Sequence, residues 1–323
     1  MRLFQNFLIF ILLTAIGILY KRYEAKYFPD EELDKYSLVR KYLLNESGSM
    51  TGKEILWIHT KHEINSRNWS SFGSRNSRKL NQPYKDLCVE SIIRQCGDSF
   101  NVCLINDESI AKLLPEWSIQ LNQLADPIKE NVRQLGLAKL LHSYGGILVP
   151  DSTIMLRNIE SLHKSKLAEK SMYVGELVNR NSSSVNSRFF PSHKFMGCKK
   201  NSECMKELIE NLEVIISENH NDFVKFTGLI DKHINKLCME GKCSIVCGKA
   251  LGVKDKENKV ILVEDLLNKS PLNLCMCSLS CIVLPDDEIL KRHKYNWFVR
   301  MSHRQVLGGD FEVSKFMVLS LGK

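Results

Sequence analysis

The chain has 323 residues, 44% hydrophobic and 25% charged. That is ordinary for a globular protein and sets aside the disordered and collagen-like classes. Its net charge of +8 is scattered among acids along the sequence, so no basic face of the kind that binds nucleic acid stands out.

Leu3 to Tyr20 carries no charge and is about long enough to span a bilayer as a helix. No small-residue cleavage site follows, so residues 1–20 are expected to be an uncleaved signal-anchor helix. Lys21, Arg22 and Lys26 follow the segment and only Arg2 precedes it, a bias that places the bulk domain on the cytosolic side. Residues 21–50 are polar with little periodicity and read as a stem, leaving 51–323 as the folded part. Asn45, Asn68, Asn181 and Asn268 open glycosylation sequons, which a chain rich in Asn and Ser also produces by chance. The eleven cysteines lack the paired C-x-x-C spacing of zinc knuckles and are expected as free or structural thiols.

Glu54 to His59 is a short apolar run that predicts a first buried strand. Asn65 to Pro83 is a polar loop whose Arg67, Arg75 and Arg78 face either phosphate or solvent. Tyr84 to Gln95 follows as an amphipathic helix, and Phe100 to Ile105 as a second strand ended by Asn106 and Asp107. Ala125 to His142 is the next helix, opened by Asp126-Pro127 with Pro in the first turn. It stops at Tyr144-Gly145-Gly146, and Ile147 to Val149 form a third strand ending at Pro150-Asp151. Met172 to Val178 is a further apolar run holding Glu176, and Phe189 to Cys198 is extended. Glu203 to Ser217 has apolar residues at helical spacing. Short strand-like runs at Val260 to Val263 and Cys281 to Leu284 precede a basic, aromatic tail at Lys291 to Arg300. Strands alternating with helices predict a mostly parallel sheet covered on both faces. Ligands of such sheets bind beyond the C-terminal ends of the strands, where Asp107 and Asp151 are expected.

In this order the landmarks resemble the DXD-type sugar transferases of the GT-A fold, related to the capsular polysaccharide synthesis and mannosyltransferase families. Leu140-Leu-His-Ser-Tyr-Gly-Gly-Ile-Leu-Val149 carries the resemblance. Ile55 to His59, Leu104 to Glu108, Lys194 to Cys198 and a Phe226-Thr-Gly228 turn support it by their order, over roughly residues 51 to 230. The resemblance implies a GT-A-like α/β fold with a mixed, mostly parallel sheet. It also implies a nucleotide-sugar donor, a glycan or glycoconjugate acceptor, a Mn²⁺ or Mg²⁺ cofactor, retention of configuration and a lumenal placement. That placement disagrees with the flanking charges. Two departures stand out. The strand tip reads Pro150-Asp151-Ser152-Thr153, with one acid in place of two. The family's Asp-x-x-Arg ahead of Tyr-Gly-Gly is replaced by Gln134 and Leu137, with Arg133 alongside.

Asp151 is the expected metal or diphosphate ligand, with hydroxyl contacts from Ser152 and Thr153; the plain alternative is a turn acid. Asp107 faces the nucleotide ribose or merely follows a strand. His59 faces the nucleotide or is a satisfied structural histidine. Arg133, one turn earlier than the family's arginine, is a candidate contact to the nucleotide sugar with a different geometry, and Glu176 a candidate contact to the acceptor or donor sugar. Arg300, His303 and Arg304 read as a solvated basic face. Loss of the second acid leaves open a catalytically inactive relative that binds through the same cleft.

Overall fold

The computed structural model describes residues 52–60, 82–114, 116–180, 184, 187–218 and 223–322. The expected anchor (1–20), the stem (21–50), Arg67, Arg75, Arg78, and the sequons at Asn45, Asn68 and Asn181 lie outside the described residues. Among the described residues no helix is long and apolar enough to cross a membrane.

Among the described residues, eight strands form two sheets. β1 (Ile55–His59), β2 (Asn101–Ile105), β3 (Gly146–Pro150), β5 (Met172–Val178), β6 (Phe189–Cys198) and β7 (Ser244–Val246) make the central sheet, in the order β2-β1-β3-β6-β5-β7. All run in one direction except β6, which is antiparallel to both its neighbours. The predicted mixed, mostly parallel sheet is therefore present. β4 (Thr153–Met155) and β8 (Cys281–Val283) pair antiparallel as a second, two-stranded sheet.

The helices are α1 (Tyr84–Cys96), α2 (Asp107–Leu113), α3 (Ile128–Tyr144), α4 (Glu160–Glu169), α5 (Glu203–Ser217) and α6 (Phe223–Met239). Shorter ones follow: α7 (Val263–Leu266), α8 (Asp286–Lys291), α9 (Asn296–Val299), α10 (His303–Leu307) and α11 (Glu312–Leu321). β1 shows why both faces are covered. Ile55 and Trp57 join a core with α3, α5 and α6, while Leu56 and Ile58 join another with α1. A strand buried on both sides reads as a continuous apolar run, which is what Ile55-Leu-Trp-Ile58 is. Each such side chain contributes roughly 1.5–3 kcal/mol by leaving water. The C-terminal helices pack with α1 and the small sheet around Tyr84, Phe298 and Phe311.

The two glycines after Tyr144 are required by the backbone. Gly145 has φ 75° and Gly146 φ 97°, in the left-handed region. A Cβ on Gly146 would overlap the carbonyl of Ile55 on β1. Trp57 Nε1 donates to Gly145 O at 3.0 Å, and the Trp57 and Tyr144 rings meet edge-on at 5.8 Å. The turn therefore sets where β3 begins, and so where Asp151 ends up.

Three expectations change. Asp107 does not hang from a strand tip but opens α2, which Asn106 and Ser109 cap reciprocally. Phe226-Thr-Gly228 is no turn; it lies inside α6, whose apolar spacing gives Phe226, Ile230, Ile234 and Leu237 to the core. Val260 to Val263 forms no strand: Val260 makes an isolated bridge with Lys254, and Val263 starts α7.

At the N-terminal end of the sheet, His163 of α4 is fully buried. Its Nδ1 is 2.6 Å from the Tyr173 hydroxyl, and its ring meets those of Phe100 and Tyr173 edge-on. Burial, assisted by the charge of Lys164, pushes its pKa down to about 4.

Candidate functional site

A cleft of about 390 Å³ opens beyond the C-terminal ends of β1 and β3. Its lining includes His59 from the end of β1, Asp107 from α2, Glu130 and Arg133 from α3, and Asp151 after β3. His193 and Lys194 from β6 and Asp286 and Asp287 from α8 complete it. Parallel strands β1 and β3 bring His59 and Pro150 into register, which places Asp151 beside His59's strand end.

The Asp107 side is closed by ion pairs. Arg133 grips the carboxylate with two bonds, Nε to Oδ1 at 2.6 Å and Nη2 to Oδ2 at 2.8 Å. His59 Nε2 lies 3.0 Å from Oδ1, and Lys129 Nζ 3.7 Å from Oδ2. Arg133 also bonds Glu130 one turn earlier. Burial works against the Asp107 charge, but the hydrogen bonds from Arg133 and His59 outweigh it and hold the carboxyl far below its ordinary range. Such a fork-to-fork pair is the strong kind of charge-assisted bond.

The Asp151 side differs. Lys85 on the first turn of α1 places its Nζ 3.1 Å from Asp151 Oδ1 and 2.9 Å from Asp286 Oδ2. Two carboxylates from separate parts of the chain thus converge on one cationic position. Burial raises the pKa of Asp151 above its ordinary value; Lys85 opposes that rise and Asp286 adds to it. Lys85 is held above an ordinary lysine: burial lowers it, but Asp286 and Asp151 more than compensate. Nearby, Lys194 Nζ pairs with Asp287 Oδ2 at 2.6 Å.

His193 is 3% exposed. Its Nδ1 and its backbone N–H both meet Asp231 Oδ1 of α6, at 2.8 and 3.3 Å. Its Nε2 is the one buried side-chain polar atom among the cleft-lining residues with no hydrogen-bond partner. Leaving such an atom unmatched costs about 1–3 kcal/mol.

The lining carries six carboxylates (Asp107, Asp126, Glu130, Asp151, Asp286 and Asp287) against three cationic side chains (Lys129, Arg133 and Lys194). Lys85, behind the lining, adds a fourth cation paired with Asp151 and Asp286. Among the described residues no group of three or more His, Cys, Asp or Glu side chains is placed to hold a metal on its own. The position on which Asp151 and Asp286 converge is held by the Lys85 ammonium.

Of the expected residues, His59, Asp107, Arg133 and Asp151 come together here. Ser152 and Thr153 do not: both are buried, and Ser152 Oγ donates to Leu284 O at 3.0 Å. Glu176 is also outside the lining. It holds Lys254 at 2.6 Å and accepts from the backbone N–H of Gly248 at 3.0 Å, so it fastens β5 to the loop after β7. Asp107 is bound by Arg133 and His59 rather than presented as a free ribose ligand. His303 pairs with Asp86 at 3.0 Å away from the cleft lining. Lys85, His193, Asp231 and Asp286 were not anticipated. The signal for Asp286 was present: Pro285-Asp-Asp-Glu288 directly follows a strand-like run. Lys85, two residues after Pro83 at a helix start, had no distinguishing pattern.

No protein-family model matches the chain, and no curated protein matches it. Among solved structures, a PaToxG glycosyltransferase is similar to it at 14% identity, over 58% of this chain and 72% of that chain, with a TM-score of 0.33. A likeness that slight carries no weight for the reaction.

Proposed function

We propose that this cleft binds a nucleoside-diphosphate sugar and passes the sugar to a hydroxyl of a glycan or glycoconjugate acceptor. The observation that carries the reading is the convergence of Asp151 and Asp286 on one cationic position at the C-terminal edge of the parallel strands. The cavity, about 390 Å³, is within the usual size of small-molecule sites. A Mn²⁺ or Mg²⁺ that displaced the Lys85 ammonium from between Asp151 and Asp286, and was shared with the donor phosphates, would neutralise charge on the leaving diphosphate.

The chain's own groups supply the rest. Lys85 holds two adjacent carboxylates aligned in a partly buried place. Lys194 and Lys129 stand at the cleft with partly exposed ammonium groups, paired with Asp287 and Asp107, where phosphate oxygens would meet them. With Nδ1–H donated to Asp231, the Nε2 of His193 carries the lone pair and can accept a proton from an acceptor hydroxyl. The family resemblance implies retention, whereas a base at His193 suits inversion; the anomeric configuration of the product decides between them. Anchoring through residues 1–20 belongs to the same proposal.

A second reading, a cleft that binds without catalysing, is favoured by the ion pairs that already occupy both Asp107 and Asp151. Hydrolysis of a panel of nucleotide sugars with Mn²⁺, by wild type and Asp151→Ala, separates the two. Transfer requires turnover of at least one donor that the variant loses; equal background in both leaves only binding.

A further inference from the structure

Cys275 and Cys277 lie away from the cleft, in the connection between α7 and β8. Their sulfurs are 3.1 Å apart. The backbone, not a chance rotamer, brings them together. Leu274 and Leu279 anchor the two ends of the turn in the core, at 2% and 1% exposure. The N–H groups of Ser278 and Leu279 donate to Cys275 O at 3.1 and 3.0 Å. Arg157 reaches over from the end of β4 and donates to the carbonyls of Met276 and Cys277, at 2.6 and 3.1 Å. Cys277 is exposed and Cys275 half-buried, so small reagents reach the pair.

We propose that Cys275 and Cys277 form a reversible dithiol–disulfide pair, oxidised by small disulfides such as glutathione disulfide. The thiolate of Cys275 attacks one glutathione sulfur, forming a mixed disulfide and releasing one glutathione thiolate. The Cys277 thiolate then attacks the Cys275 sulfur, closing the protein disulfide and releasing the second glutathione. Two thiol protons are given up, and two electrons pass to the oxidant.

The pair's surroundings suit the first step. The Ser278 hydroxyl, the Cys277 thiol and the Ser278 N–H stabilise the thiolate, and the charge of Lys249 helps, so the Cys275 pKa falls to about 7. The buried thiols contrast with it: burial raises Cys96 to about 11 and Cys198 to about 12, and takes them out of reach of solvent. Closing a loop with one residue between the cysteines removes little freedom from the unfolded chain. An exposed disulfide of this kind is readily reduced again. The pair therefore fits a switch or a sensor better than a structural bridge, and it needs no assumption about the reaction in the cleft.

The test is to incubate the reduced full chain with glutathione disulfide, trap free thiols with N-ethylmaleimide and map the peptides by mass. The expected result is a peptide over 275–277 that has lost two hydrogens, with labelling of both cysteines down at least about tenfold and restored by dithiothreitol. Cys275→Ser should leave Cys277 labelled, with an unchanged far-ultraviolet circular dichroism spectrum. Labelling of Cys275 in the wild type should rise with a midpoint near pH 7. Full labelling of both after oxidation, a lasting glutathione adduct, or a bond from either cysteine to Cys247 would each overturn the proposal.

Discussion

The two ends of the central sheet each hold a histidine, and they treat charge in opposite ways. At the C-terminal end, His59 lies against the Asp107 carboxylate, and carboxylates are paired with Arg133 and Lys85. At the N-terminal end, His163 is enclosed by Phe100 and Tyr173, meets a neutral hydroxyl, and is held uncharged at neutral pH. The first end retains paired charge next to a cavity, where a ligand can exchange for part of the pairing. The second keeps its histidine neutral inside the core, with the Glu54 carboxylate 4.0 Å from its Nε2. The same contrast recurs within the cleft. Asp107 is clamped by a bidentate arginine and held low, while Asp151 is raised by burial and shares a single ammonium with Asp286. Equal side chains on neighbouring elements thus sit in different surroundings: Asp107 is fixed in the wall, and Asp151 is the proposed ligand.

Substitutions can break this division. Asp151→Asn keeps the shape and removes the charge; loss of donor turnover by about 10²–10³ is expected, with the denaturation midpoint little changed. Arg133→Ala leaves Asp107 as a half-buried charge without its main partner. Equilibrium unfolding should show a loss of about 2 kcal/mol, less than for a fully buried pair because Asp107 is 21% exposed.

The opposite end is tested by pH. Unfolded, His163 takes up a proton below about pH 6.5; folded, it does so only near 4, so the unfolded state binds more protons between those values. The stability this histidine contributes is complete above about pH 6.5 and falls as pH drops. The loss should reach about 2 kcal/mol by pH 5. Urea midpoints at pH 7 and 5 measure it, and His163→Phe should flatten the difference. The smallest effect is expected at Lys129, whose ammonium is partly exposed and 3.7 Å from Asp107. Lys129→Ala should cost less than about 1 kcal/mol in the same unfolding assay.

The elements that build the sheet were legible because their apolar residues recur with strong local patterns. β1 to β3, α1, α3 and α5 stand within two or three residues of where periodicity and the Tyr-Gly-Gly stop place them. Asp151 was legible for the same reason, since a buried strand followed by an acid has one direction to point. Glu176 misled because alternation along β5 gives its face but not its neighbour. Its partner, Lys254, is 78 residues on. The Lys85–Asp151–Asp286 group joins residues 66 and 201 positions apart, a juxtaposition that only the packed fold makes. Asp107 stands beyond β2 as expected, but the helix start that Asn106 and Ser109 make at the same position was not read.

The central claim is that the Asp151 side of the cleft receives a diphosphate. Calorimetric titration of nucleoside diphosphates in Mn²⁺, on wild type and Asp151→Ala, tests it most directly. The account predicts saturable one-site binding of at least one of them, weakened more than about tenfold by the substitution. Equal affinity in the two proteins, or no binding by the wild type, would contradict it.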